Sequence, residues 1–276
     1  MDTSLVRGIT GSRVRVARTP RTARRLVVRL VALVAALALW QLLAALLSPT
    51  VVPYPLAVAE NLVRLSTTPG FWVATGLTIG CALAGFGISA AVGIPLGLLI
   101  GRSRFLVAST RLVIDVFRTI PAITLIPLLV LLAGPTPTMQ IALIVFGAVW
   151  PLLLQSVYAA RELDPVLADV STALRLPRRV LWVHIVAPSA APFVMTGIRV
   201  ACTIALLLAV GAELVGNAPG IGREIAFAQI AGNSAVAYAY VVTAAILGVG
   251  INLVLAAVQR RVLFWHSSVR TAEAPR

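Results

Sequence analysis

The sequence predicts an all-α membrane protein with six transmembrane helices and both termini in the cytoplasm. Three observations carry this. Of the 276 residues, 59% are hydrophobic and 12% charged, with a mean hydropathy of +0.98, against roughly 25% charged residues in soluble domains. Six windows approach or exceed the ~20 apolar residues of a spanning helix, at 30–47, 75–100, 112–133, 139–158, 193–215 and 235–258. The basic residues are all Arg and are placed asymmetrically. With the N-terminus inside, only Arg64 and Arg223 fall outside and Arg199 lies within a span, while every other Arg is cytoplasmic, as the positive-inside rule requires.

Residues 1–29 form a basic tail without a small-residue cleavage pattern after the first span, so the first helix is expected to stay uncleaved. The span at 30–47 opens a membrane domain that runs over 30–265. An external loop follows from Ser48 to Gly70, in which Val58, Leu62 and Leu65 recur at helical spacing and predict a short interfacial helix. In the second span Gly93, Gly97 and Gly101 repeat at four-residue intervals, as do Gly76 and Gly80. Such a row permits close approach of another helix, and packing within the same chain is its simplest use. Pro95, Pro121, Pro127 and Pro151 interrupt spans, and the carbonyls they release need neighbouring helices or water. A bundle built around a pathway accommodates them, which makes Pro121 and Pro127 candidates for a pathway or gate. The fourth span ends in a polar interruption at 159–190. A fifth span, an external segment from Gly216 to Ser234, a sixth span and a cytoplasmic tail at 266–276 complete the chain.

A net charge of +14 would suggest nucleic-acid binding in a soluble protein, but here the Arg residues flank apolar spans and the expected contact is with membrane lipid. No Lys occurs, which removes the Walker A lysine and any Schiff-base chemistry, so the chain is not expected to be an enzyme or to bind a cofactor. His184 and His266, the two histidines, are both expected in the cytoplasm, so no intramembrane metal or Ser–His centre is predicted. Cys81 and Cys202 sit in apolar runs and read as buried thiols. Asp115 and Arg118, three apart on one helix, can neutralise each other. Arg199 can snorkel to the inner interface as an anchor. Glu213 lies near the outer end of the fifth span. An intramembrane carboxylate is a functional candidate, with an interfacial glutamate as the alternative.

The interruption has its own pattern. From Pro165 to Leu176 the residues Val166, Leu167, Val170, Ala173 and Leu174 form one apolar helical stripe with Asp169 at its edge. Pro177 breaks or restarts the helix, and a second short helix from Arg178 to Val186 carries Val180, Leu181 and Ile185 before Pro188. A helix, turn and helix across the cytoplasmic face suits docking into a groove on another protein.

This stretch resembles the coupling motif of binding-protein-dependent ABC importer permeases, in which E-A-A, three residues, G, nine residues and I-x-L-P follow one another. Here the spacing reads Asp169-Val170-Ser171, three residues, Arg175, nine residues, Ile185-Val186-Ala187-Pro188. Ile185 and Pro188 are identical to the pattern, Arg175 stands at its Gly, and Pro177 follows as a turn residue. The resemblance extends from about residue 30 to 265, through "VVPYPLAV", "LAGFGISAAVGIPLGLLIGRS", "FRTIPAITLIPLLVLLAG", "GIRVACTIALLLAVGAELVG", "PGIG" and "RRVLFWH", and is greatest to the nitrate, sulfonate and taurine branch. It implies a type I importer permease in the bacterial inner membrane that pairs with a second copy, two cytoplasmic ATPase subunits using ATP and Mg, and an external solute-binding protein. Asp169, Val170, Ser171, Ala173, Leu174 and Arg175 would meet the ATPase, and Ile185 and Pro188 would tie the loop to the fifth span. Two other classes fit a bundle of this composition, a non-transporting scaffold and an ion-coupled carrier. The near absence of mid-span charge counts against the carrier.

Overall fold

The computed structural model describes residues 21–48, 50–161, 177, 180 and 186–264. The described residues are almost wholly helical. They form α1 (Arg21–Leu46), α2 (Pro55–Ser66), α3 (Pro69–Gly101), α4 (Arg104–Thr119), a 3₁₀ turn (Ala122–Leu125), α5 (Ile126–Ala133), α6 (Pro137–Arg161), α7 (Ala187–Gly216), α8 (Ile221–Ile230) and α9 (Ser234–Val262). Asp169, Val170, Ser171, Ala173, Leu174, Arg175 and Ile185 lie outside the described residues. Pro188 lies within them, in the first turn of α7, where a missing N–H costs nothing.

The core is a stack of α3, α6 and α7. Apolar attraction between helices is weak in lipid, so close van der Waals packing holds them together, and glycine makes that approach possible. A Cβ on Gly93 would sit 3.0 Å from the Val149 carbonyl oxygen, one on Gly97 2.6 Å from Ser156 Cβ, and one on Gly101 2.6 Å from Ala160 Cβ. The glycine row of α3 therefore lies on α6 of the same chain, as its spacing suggested. Gly76 and Gly80, by contrast, face open space. Small residues on α7, including Ala201, Ala205, Ala209 and Ala212, close the third side around Leu143, Ile144, Ala148 and Leu152 of α6.

Among the described residues, four stretches are long and apolar enough to cross a membrane: Pro69–Gly101, Pro137–Arg161, Ala187–Ile230 (which holds α7 and α8) and Ser234–Val262. The window expected as one span at 112–133 is not a straight rod. Arg104–Thr119 and Ala122–Ala133 meet at 75°, because Ile120 before Pro121 is held extended at φ −67° and ψ 120° and Pro127 opens a new helical turn. Counted as one broken span, this pair is a fifth. The apolar part of the first helix is shorter, at Leu30–Leu46. It touches the bundle near its end, where Ala44 is buried and Trp40 Nε1 donates to the Pro53 carbonyl at 3.2 Å.

At one end of the bundle α2 lies across the helix ends as its periodicity predicted. Leu62 and Leu65 pack against a second cluster of Phe71, Ile221, Ile225, Ala228, Ala237 and Tyr240, and Val58 is buried nearby. The helix α8 completes that layer. At the other end stand Arg102, Arg104, Arg161, Arg260 and Arg261, close to the termini of α3, α4, α6 and α9.

Replacing Gly97 by Val forces α3 off α6 and should cost about 1–3 kcal/mol, the usual range for overpacking a tight interior. The same change at Gly80, which has no neighbour within 4 Å, should be near neutral. Thermal unfolding of the two detergent-purified variants checks the contrast.

Candidate functional site

A carboxylate placed among apolar helices must be met by donors or it will not be tolerated there. Glu213, one turn before the end of α7, is fully buried, and three other elements supply those donors. Thr78 Oγ1 of α3 donates to Oε2 at 3.0 Å, and the backbone N–H of Gly222 in the first turn of α8 donates to the same oxygen at 2.8 Å. Gln140 Nε2 of α6 donates to Oε1 at 2.5 Å and also reaches the Ala209 carbonyl at 3.3 Å. The Ile221 N–H donates to Thr78 Oγ1 at 3.0 Å, so two of the free N–H groups that open any helix are satisfied within the knot.

The chain between α7 and α8 is built to bring those groups together. Asn217 takes the left-handed conformation at φ 55° as the cap of α7, a role Asn fills at less cost than most residues. Gly220, at φ 157°, then swings the N-terminus of α8 over the carboxylate. A Cβ on Gly220 would overlap the Glu213 carboxyl group, and one on Gly222 would lie 2.7 Å from Glu213 Cβ. The "PGIG" stretch is therefore a backbone seat for a carboxylate at a helix N-terminus, where the dipole also favours negative charge.

Pro121 and Pro127 bracket the break between α4 and α5, and both are exposed. Ala122 and Ile123 of the 3₁₀ turn face Gly147 of α6 and Gly211 of α7, at 3.3 and 3.5 Å from where their Cβ atoms would be. Ile126, next to Pro127, packs on Gly216 and Met139 beside the knot. The structure thus brings the Pro127 side of the break up to the Glu213 end of α7 and leaves Pro121 further along the bundle.

Near the arginine-rich end, a cavity of about 340 Å³ lies among α3, α4 and α6, lined by Ile100, Arg111, Asp115, Arg118, Tyr158 and Arg161 among others. Asp115 pairs with Arg118 at 3.0 Å, the expected partner, and also with Arg111 at 3.8 Å. Arg199 stands 12 residues along α7, about 18 Å at 1.5 Å per residue. Its Nε and Nη2 both donate to Asn252 Oδ1 of α9, at 3.2 and 2.8 Å. Cys81 and Cys202 are free and buried. Sequence reasoning singled out Glu213 but missed Thr78, Gln140 and the α8 N-terminus. The one signal present was the Gly-x-Gly run shortly after the acidic residue, since Gln140 shares its apolar span with Gln155 and does not stand out.

These features define a class: a polytopic helical membrane protein with one proline-broken span, whose polar interior locks helices together. Residues 93–264, from the second half of α3 to the end of α9, match the sequence profile of the binding-protein-dependent transport system inner membrane component family. The chain belongs to that family and is a permease component of an ABC importer, a subunit type distinct from the ATPase. It is 29% identical over 200 residues to the nitrate import permease protein NrtB of Synechocystis sp., covering 70% of this chain and 73% of that protein. It is 28% identical over 238 residues to the putative aliphatic sulfonates transport permease protein SsuC of Bacillus subtilis, covering 84% and 85%. The taurine transport system permease protein TauC of Escherichia coli matches at 29% over 231 residues, covering 82% and 84%. The same fold occurs in inward-facing crystal structures of the MetNI methionine ABC transporter, with a TM-score of 0.61 and 20% identity over 71% of this chain and 99% of that one.

Glu213→Ala strands the Gly222 N–H and the Gln140 amide in a dry site, each unmet group costing about 1–3 kcal/mol. It should sharply lower the yield of folded protein. Glu213→Gln should be milder, because the Gln140 side chain, whose Oε1 has no partner, can turn to accept from the new amide. Size-exclusion profiles and thermal unfolding of the two variants test this order.

Proposed function

We propose that the chain works as one of two identical permease subunits that together enclose a path for a small solute handed over by an external binding protein. Nitrate, a sulfonate, taurine or a related small compound is the cargo, by analogy with the relatives whose names carry those solutes. The single observation that carries the reading is the family match over the packed bundle from α3 to α9. In this reading six spans cross the bacterial inner membrane with both termini in the cytoplasm, α1 and the broken α4–α5 pair being two of them. The alternatives of a scaffold and of an ion-coupled carrier have no comparable support.

ATP and Mg belong to the partner ATPase, since this chain has no lysine for a P-loop. Asp169, Val170, Ser171, Ala173, Leu174 and Arg175 form the contact with that subunit, and Ile185 and Pro188 pass its motion to α7. Nucleotide then shifts the bundle between inward and outward access by rigid-body movement. Glu213, Pro121 and Pro127 serve the gate: the prolines let the α4–α5 pair bend, and the carboxylate knot keeps the far end of α7 fixed to α3, α6 and α8 as the other end moves.

Two measurements test this. Purification through a C-terminal tag in mild detergent should bring down a P-loop ATPase in equal amount. In addition, Asp169→Arg combined with Leu174→Asp should abolish ATP-driven uptake while leaving the amount of inserted protein unchanged. Normal uptake by that double variant would sink the coupling assignment.

A further inference from the structure

Arg199 is a cation inside an apolar span, where cations are expensive. Among the described residues no carboxylate bridges it: Asp115 is engaged with Arg111 and Arg118, and Glu213 is enclosed by its own donors. Its depth follows from both helices it touches. Asn252 lies ten residues before the end of α9 at Val262, about 15 Å, and Arg199 about 18 Å from the start of α7. At 1.5 Å per residue α7 is about 45 Å long and outruns a ~30 Å hydrocarbon core; within the apolar windows 193–215 and 235–258, Arg199 and Asn252 each lie six residues, about 9 Å, from the arginine-rich end. The guanidinium does not reach back towards the interface, since two of its N–H groups are fixed on Asn252 Oδ1.

The helix face around it is equally specific. Thr196, Arg199, Val200, Thr203 and Leu207 are exposed along one side of α7, opposite the Ala201, Ala205 and Ala209 face that packs on α6. To one side of this strip stands α9, which Arg199 and Leu206 meet through Asn252 and Gly248. To the other stands the proline break, whose Ile123 meets Gly211. An exposed guanidinium inside an apolar span is not solvated by acyl chains, and such residues face a water-filled cavity or bundle interior.

We infer that the exposed strip of α7 between α9 and the Pro121–Leu125 break lines the solute path, with Arg199, oriented by Asn252, as the fixed cation that an anionic solute passes within the membrane. This rests on the permease reading and adds a residue to it. Asn252 is a positioning residue: it holds the fork of Arg199 without neutralising it, so the positive potential stays available to a passing anion.

The test uses the complex with its ATPase in proteoliposomes, with Cys81→Ala and Cys202→Ala as background. Thr203→Cys, one turn from Arg199, is exposed to two small methanethiosulfonate reagents, one bearing a sulfonate and one a trimethylammonium group. The expected result is labelling by both from the aqueous phase, with the sulfonate reagent faster than the cationic one by about tenfold, the lower end of electrostatic focusing in a cleft. Arg199→Gln should remove that preference, Arg199→Lys should keep most of it, and Asn252→Ala should weaken it. Val254→Cys, exposed on the side of α9 away from Asn252, should react with neither reagent. Failure of Thr203→Cys to react in vesicles whose unmodified transporter still takes up nitrate or taurine on ATP would overturn the assignment and leave the permease reading intact. Equal labelling by both reagents whether or not Arg199 is present would overturn it too. Absence of both ATP-driven uptake and a bound ATPase would instead remove the reading on which it stands.

Discussion

A buried carboxylate imposes a geometric debt that only specific neighbours can settle, and in this protein four helices converge to settle it. Glu213 can sit in the dry end of α7 because Thr78, Gln140 and the first turn of α8 each place a donor on it. Reversing the viewpoint, α8 has its place because its opening N–H groups find acceptors there. On α8 rests the second apolar cluster, in which Phe71, Leu62, Leu65 and Tyr240 bring in the ends of α3, α2 and α9. The whole layer across that end of the bundle therefore depends on one side chain, and Gly220 and Gly222 are required because a Cβ at either would collide with it.

The remainder of the bundle is governed by the absence of water. With lipid around it, a helix gains little by hiding apolar groups from its surroundings, and contact has to come from close fit and shared hydrogen bonds. The α3–α6–α7 stack meets that condition through Gly85, Gly93, Gly97, Gly101 and Gly197, each of which lets a neighbouring backbone or Cβ come within about 3 Å of where its own Cβ would stand. The pieces outside the stack are held differently. Ile114 is the one buried residue of α4, and α9 joins α7 through the Arg199–Asn252 bond and Gly248. Close packing resists deformation, so movement between bundle states belongs to the looser pieces.

How much of this was legible in the sequence follows from what hydropathy measures. Windows at 75–100, 139–158, 193–215 and 235–258 correspond to α3, α6, α7 and α9 because an unbroken apolar run has one solution in lipid, a helix. The window at 112–133 is just as apolar, but hydropathy has no direction, and the two prolines that turn the chain by 75° weigh little in an average. The Gly93–Gly97–Gly101 spacing carried its meaning directly. Glu213 was conspicuous as the one carboxylate of its span, whereas Gln140 and Thr78 are recognisable only as its partners, and partnership across 73 and 135 residues is a property of the fold. The coupling stretch at 169–188 rests on spacing: of its motif residues only Val186, Ala187 and Pro188 lie in the described part of the chain.

Taken together, the two constraints divide the molecule along its length. At the α2–α8 end, hydrogen bonds to a single carboxylate and an apolar cluster tie α2, α3, α6, α7, α8 and α9 into one block. Towards the arginine-rich end no comparable polar knot joins the described helices, and α4 lies beside a 340 Å³ cavity with Asp115 paired to Arg111 and Arg118 within its own length. An input of energy at the arginine-rich end, which is where the proposed ATPase contact falls, would then be opposed least by α4 and most by the knotted block. The proline break between them, resting on Gly147 and Gly211, is the place where the chain already lacks continuous helical hydrogen bonding and where bending costs least. A transporter needs one end that yields and one that holds, and here the difference arises from where the chain places its two prolines and its buried glutamate.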